Sequence, residues 1–144
     1  MASRDLWQCH PALQAAWGRV AQAYMARYGG LRGLIITATY RSPEEQWLLF
    51  QQGRVQQSNG TWAVEQPAVV VTQLDGRTRV SQHNIQPSRA LDFAVLVGGK
   101  LTWAASEYEP VGVLGEQQGL VWGGRWLHLR DLPHLQLPEE EVTA

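Results

Sequence analysis

The stretch Ala90 to Val97, "ALDFAVLV", limits what this chain can fold into more than any other. It is an apolar run of strand length, and Gly98-Gly99 and "KLTW" follow it. That order reads as a strand, a Gly-Gly turn and a short returning strand. Side chains alternate along a strand, so Leu91, Phe93 and Val95 point one way and Ala90, Asp92 and Ala94 the other. The first set is core. The second presents one carboxylate between two methyl-sized neighbours, with space above it. An unpaired aspartate at that depth is costly, so it needs a cation or several donors. Arg89 beside it is one candidate, and a metal ion is another.

Around this strand the chain mixes helix and strand signals. From Pro11 to Tyr28, the residues Leu13, Trp17, Val20, Ala21, Tyr24, Met25 and Tyr28 recur at helical steps. Pro11 suits the first turn and Gly29-Gly30 the stop. "LIITATY" (Leu34 to Tyr40) predicts a strand running into a helix that Ser42 caps, with Pro43 in its first turn and Glu45 completing a capping box. That helix ends near Gly53. The spacing predicts a loop over Val55 to Pro67, a strand over "AVVVTQ", an Asp-Gly turn in "LDGRT", and a loop from Ser81 to Arg89. A weak helical segment covers Glu107 to Gln118, and "LVWGGRWLHLRDLPHLQL" closes with glycine bends and strand-like alternation. Hairpin signals without a βαβ rhythm predict an α+β fold with a small central antiparallel sheet and helices packed against it.

At 144 residues this reads as one domain over residues 1–138, with an acidic tail from Glu139 onward. The net charge of −1 provides no global field for nucleic acid, and no run reaches membrane-spanning length. No signal peptide is apparent at the start, which predicts synthesis in the cytoplasm. The single cysteine, Cys9, excludes an internal disulfide and a thiolate zinc cluster. It reads as a bystander near the terminus.

Candidate chemistry gathers around Asp92. His83 arrives from the polar loop before it, and "DLPHLQL" brings His134 with Asp131 just ahead. Two histidines, one carboxylate and an open position describe a catalytic zinc site, and a further carboxylate could move the proton of an attacking water. His128 is a rival ligand. His10, beside Pro11, reads as structural. Arg41 sits at a strand-to-helix junction, where it could enter a cleft or pair with Glu44 or Glu45. There is no H-E-x-x-H, phosphate-cradling glycine loop or G-x-S-x-G elbow.

Four blocks carry a resemblance: "SRDLWQCHPAL", "TATYRSPEEQWLLFQQGR", "SQHNIQPSRALDFAV" and "GLVWGGRWLHLRDLPHLQL". Over nearly its full length the chain resembles phage endolysins of the zinc D-alanyl-D-alanine carboxypeptidase and L-alanyl-D-glutamate endopeptidase family. The resemblance implies the hedgehog/DD-peptidase type of fold. It implies Zn2+ held by His83, Asp92 and His134, Asp131 as acid/base, and Arg41 holding a substrate carboxylate or the developing oxyanion. Ser81 and Gln46 match polar positions lining the cleft, and Trp122 is implied as a cleft wall. The loop "NIQPSRAL" is longer than the commoner family pattern, and Leu135 stands where an aromatic commonly follows the histidine.

The implied substrate is a peptidoglycan stem peptide, with cleavage between L-Ala and D-Glu favoured over removal of terminal D-Ala. A monomer released by a holin to the cell wall is implied, with no nucleic-acid partner and no membrane insertion. The competing readings are a non-catalytic wall-binding module with the same fold, and a structural phage protein with coincidental histidines.

Overall fold

The computed structural model describes residues 2–139. Of the expected acidic tail, Glu140 and the residues after it lie outside the described residues.

The first helix, α1 (Pro11–Tyr28), has the bounds its sequence signals predict. His10 caps it, Nδ1 accepting from the Ala12 N–H at 3.0 Å, so this histidine is structural. Gly29 ends it by donating to the Met25 carbonyl at 2.9 Å. The buried stripe is Leu13, Ala16, Trp17, Val20 and Tyr24, while Met25, expected on it, is 46% exposed.

Strand β1 (Arg32–Ala38) leads into α2 (Pro43–Gln51), capped by Ser42 Oγ, which accepts from the Glu45 N–H at 3.2 Å. Next comes a short antiparallel hairpin, β2 (Arg54–Gln56) and β3 (Trp62–Val64), where the composition predicts only a loop. Aromatic packing holds it. Trp47 of α2 stacks on Phe50 at 5.7 Å and meets Trp62 edge-on at 5.4 Å between ring centroids. "AVVVTQ" is not a strand. Pro67–Val69 forms a 3₁₀ turn, and the residues up to Gln73 run irregularly along a cleft. Their β-branched character is overridden because no strand lies beside them to pair with.

Strand β4 (Ala90–Val97) is the centre of the sheet. β1 runs antiparallel along one edge. The other edge is shared: β5 (Lys100–Thr102) pairs with Val95 to Val97, and β7 (His134–Gln136) pairs with Ala90 to Asp92. β6 (Val121–Trp122) adds to β7. The architecture is α+β with an antiparallel sheet, as the sequence predicts.

Leu91, Phe93 and Val95 are fully buried, with α1 and α3 (Ala105–Gln117) contributing to the same core. Phe93 lies between Trp17 at 5.7 Å and Tyr108 at 5.5 Å. The Tyr108 hydroxyl donates to the Thr102 carbonyl at 2.8 Å and accepts from the Val95 N–H at 3.2 Å, tying α3 to the β4–β5 turn. Asp92 is therefore fixed on a strand whose other face is locked into the core.

Trp122 is buried in that core, its indole N–H donating to the Leu132 carbonyl at 2.8 Å. A Cβ on Gly112 or Gly124 would run into its ring. Gly112→Ala should therefore lower stability by about 1–3 kcal/mol through overpacking. Gly18→Ala, on an exposed helical position with open space around it, should raise it by about 0.5–1 kcal/mol. Chemical denaturation of both variants checks the pair.

Candidate metal centre and cleft

Three backbone features bring the candidate residues together. The register between β1 and β4 slips between Ile36 and Ala38, so β1 bulges at Thr37 directly opposite the Asp92–Phe93 step. Beyond the bulge, the Thr39 carbonyl lies 2.6 Å from His83 Nδ1. A carbonyl can only accept, so Nδ1 carries a proton, and Nε2 keeps a lone pair when the ring is neutral. Nε2 lies 3.2 Å from Asp92 Oδ1.

The His83 turn is itself fixed. Ser81 Oγ accepts from the His83 N–H at 3.2 Å, and Asn84 Oδ1 accepts from the Ser81 N–H at 2.9 Å. The Arg41 N–H donates to the His83 carbonyl at 2.9 Å, and Asn84 Nδ2 donates to the Arg41 carbonyl at 2.9 Å. Arg41 and His83 thus move as one unit.

On the opposite edge of β4, His134 is the register partner of Asp92. Its Nδ1 lies 3.2 Å from Asp92 Oδ1 and 3.6 Å from Asp131 Oδ2, while Nε2 is 2.8 Å from Gln136 Oε1. With the amide oxygen so placed, Nε2 donates to Gln136 and Nδ1 keeps the lone pair. Gly123 permits this arrangement: its carbonyl accepts from the Asp131 N–H at 3.0 Å, and a Cβ there would press on Asp131 and His134.

With both rings neutral, two imidazole lone pairs face one carboxylate, which is repulsive unless a cation joins them. His83, Asp92 and His134 each offer a ligand atom, and these atoms lie within 4.8 Å of one another. Two neutral imidazole nitrogens and a carboxylate oxygen suit zinc or a similar divalent metal, so the donor set fits a catalytic-type site. Protons on the imidazoles would also satisfy Asp92. In that protonated state burial opposes ionisation of Asp92, but the charge on His83 and hydrogen bonds from His134 and His83 outweigh it and hold the carboxyl well below the usual range. Burial also disfavours a charged His134, yet Asp92 and then Asp131 push its pKa up.

Asp131 differs from Asp92. Burial, and next the Asp92 charge, raise its pKa above the ordinary carboxylate value, although its side chain keeps 40% exposure to the cleft. The guanidinium of Arg41 donates from Nη1 to Gln46 Oε1 at 3.1 Å, with Nη2 3.7 Å from Asp92 Oδ2. The buried Gln46 amide donates in turn to the Leu74 carbonyl at 2.9 Å and Thr72 Oγ1 at 3.2 Å. Arg41 thus takes the cleft position, and the surface pairing with Glu44 or Glu45 weighed from sequence is not its arrangement. Arg89 does not pair with Asp92 either; it donates to Gln82 and to the Pro138 carbonyl.

These groups line a cleft of about 880 Å³, large enough for several residues of an extended peptide. Arg41, Gln46, Ser81, His83, Asp92, Asp131 and His134 all border it. Trp122 does not. It is core, and Trp126 is the indole that lines the cleft, its ring centroid 4.9 Å from the His134 ring. Strand β6 is only two residues long, so Trp122 turns inward and the glycine bend carries Trp126 outward. His128 is exposed on the cleft border and is not part of the three-ligand group. Cys9 is buried, and burial, then Asp5, push its thiol up to about 12, which leaves it unreactive.

A sequence profile of the family described as D-alanyl-D-alanine carboxypeptidase matches residues 75–137, the span that contains His83, Asp92, Asp131 and His134. The chain is also 30% identical over 114 residues to the peptidoglycan L-alanyl-D-glutamate endopeptidase CwlK of Bacillus subtilis. Over its site-bearing span the chain is thus similar to the D-alanyl-D-alanine carboxypeptidase family. The CwlK match covers 72% of this chain and 60% of CwlK, so the chain spans less than two thirds of that relative. Among solved structures, the Serratia marcescens L-Ala D-Glu endopeptidase ChiX shares the fold, with TM-score 0.60 and 22% identity. That likeness covers 96% of this chain and 89% of ChiX.

Around the site stand supporting residues that sequence reasoning missed: the Thr39 carbonyl, Gln136 and Trp126. The alternation of β7 puts His134 and Gln136 on one face, and this was the signal available for Gln136. Such outer partners orient a ligand and commonly change metal affinity about 10–100-fold. Gln136→Leu is expected to weaken zinc binding by that factor, measured by competition with a chromophoric chelator.

Proposed function

We propose that this protein is a zinc-dependent peptidoglycan endopeptidase that cuts stem peptides between L-Ala and D-Glu. The observation that carries the reading is the convergence of His83 Nε2, His134 Nδ1 and the Asp92 carboxylate, with Asp131 and Arg41 beside them. His83 Nε2, His134 Nδ1 and a carboxylate oxygen of Asp92 would hold the ion. When bound, zinc lowers the pKa of a coordinated water to about 7 and polarises a carbonyl.

The chain's own groups do the rest. Asp131 accepts the proton of the attacking water as its oxygen bonds to the scissile carbon. It then passes that proton to the departing amine as the C–N bond breaks. Arg41, held by Gln46, donates to the carbonyl oxygen as negative charge develops there. Gln46 and Ser81 act by positioning, the first through Arg41 and the second through the His83 turn. Trp126 gives the cleft an aromatic face against His134.

Cleavage at L-Ala–D-Glu is favoured because CwlK and ChiX both carry that bond in their names. Release of terminal D-Ala is the second reading, favoured by the description of the family itself. The endolysin part of the proposal, a monomer acting on the wall after a holin opens the membrane, rests on the sequence resemblance. Co-expression in a Gram-negative host tests it: cultures should clear only when a holin is also present. Among the described residues no helix is long and apolar enough to cross a membrane.

The deciding experiment is mass spectrometry of fragments from defined peptidoglycan. A new free amine on D-Glu is expected, and free D-Ala alone would select the second reading. Asp131→Ala should keep its zinc and lose about 10²–10⁴-fold in rate, the usual worth of a positioned acid/base. Full hydrolysis by that variant would contradict the assignment. His83→Ala and His134→Ala should each lose zinc by elemental analysis.

A further inference from the structure

The turn Asp75–Arg79 sends its two arginines to different places. Asp75 Oδ1 accepts from the N–H groups of Arg77, Thr78 and Arg79 at 2.8, 2.8 and 3.0 Å, and Oδ2 from Thr78 Oγ1 at 2.7 Å. The Gly76 N–H donates to the Arg79 carbonyl at 2.9 Å, and a Cβ on Gly76 would press on Gln46 of α2. The turn is therefore rigid and seated against the helix that steadies Arg41. Arg77 lies over the Trp47 ring at 3.8 Å, outside the cleft. Arg79 lines the cleft.

The Arg79 guanidinium is exposed and has no ion pair or side-chain hydrogen bond among the described residues. The other cleft arginines are engaged. Arg41 is held by Gln46 beside Asp92, and Arg130 donates through Nε to the Gly124 carbonyl at 3.0 Å. A fixed backbone that presents an unpartnered guanidinium to a peptide-sized cleft is suited to a carboxylate of the ligand.

The bond in the function proposed above joins alanine to the amine of a dicarboxylic residue. Only one of the two carboxyls of that residue continues the chain, so the other remains as an anion next to the cut. Resting on that reading, we propose that Arg79 binds this free carboxylate. The protein then selects stem peptides whose glutamate is ionised over those in which the same carboxyl is a carboxamide. Arg41 is left to serve the scissile carbonyl.

Two synthetic stem peptides, identical except for carboxylate or carboxamide at that position, test this with the zinc-loaded full chain. The wild type should prefer the carboxylate. Arg79→Gln should lower kcat/KM for the carboxylate about 10–100-fold, the loss expected for a charge-assisted hydrogen bond. It should leave the carboxamide nearly unchanged, and Arg79→Lys should restore part of the preference. Calorimetric binding of both peptides to Asp131→Asn, with and without Arg79→Gln, separates recognition from turnover. Equal handling of the two peptides by the wild type, or an undiminished preference in Arg79→Gln, overturns the proposal. Arg79-dependent binding without cleavage by the wild type would keep the carboxylate site and overturn the peptidase reading.

Discussion

The site depends on one carboxylate placed where a carboxylate is hard to keep. Asp92 sits in the middle of β4, with Leu91 and Phe93 on either side of it fully buried. A lone charge there would be strongly destabilising. The surrounding structure supplies positive or polar partners from three directions: His83 from the preceding loop, His134 from the adjacent strand, and Arg41 from the end of β1. Each is fixed by its own backbone or side-chain partner. Two imidazole nitrogens converge on the Asp92 carboxylate, and with neutral rings that geometry calls for a cation at the point where they meet.

The bulge in β1 links the fold to this chemistry. A regular β1 would continue along β4 and carry the Thr39 carbonyl elsewhere. By skipping Thr37, the strand brings that carbonyl to His83 and leaves Arg41 hydrogen-bonded to the His83 backbone. On the other edge, the short β7 places His134 opposite Asp92, and Gly123 gives Asp131 room beside it. A buried, paired carboxylate and a partly exposed one with a raised pKa end up side by side. In the proposed mechanism these different environments suit one side chain to hold the ion and the other to carry a proton.

Much of this was legible in the sequence because it depends on local patterns. The two-residue alternation of β4 shows that Asp92 opposes the Leu91–Phe93–Val95 face, "SPEEQ" marks a helix start through its Ser42 cap, and Pro11 in "HPALQ" marks another through its first-turn position. The antiparallel sheet follows from the Gly-Gly hairpin. What could not be read depends on contacts between distant segments. "AVVVTQ" has strand composition but no neighbour, whereas the less β-rich β2–β3 hairpin forms because Trp62 finds Trp47. Trp122 and Trp126 stand in one glycine bend, and only their packing, against Gly112 and against His134, decides which is core and which borders the cleft. Met25 falls off the buried stripe because it lies about 100° round the helix from Tyr24, away from the line of Leu13, Val20 and Tyr24.

The central claim is that His83, Asp92 and His134 together form one zinc centre. X-ray absorption at the zinc edge of the wild-type protein tests it most directly. The account predicts one equivalent of tightly held zinc, with two imidazole nitrogens and additional oxygen ligands at about 2.0–2.2 Å and no sulfur. A sulfur scatterer, an all-oxygen shell without imidazole, or no retained zinc would contradict it.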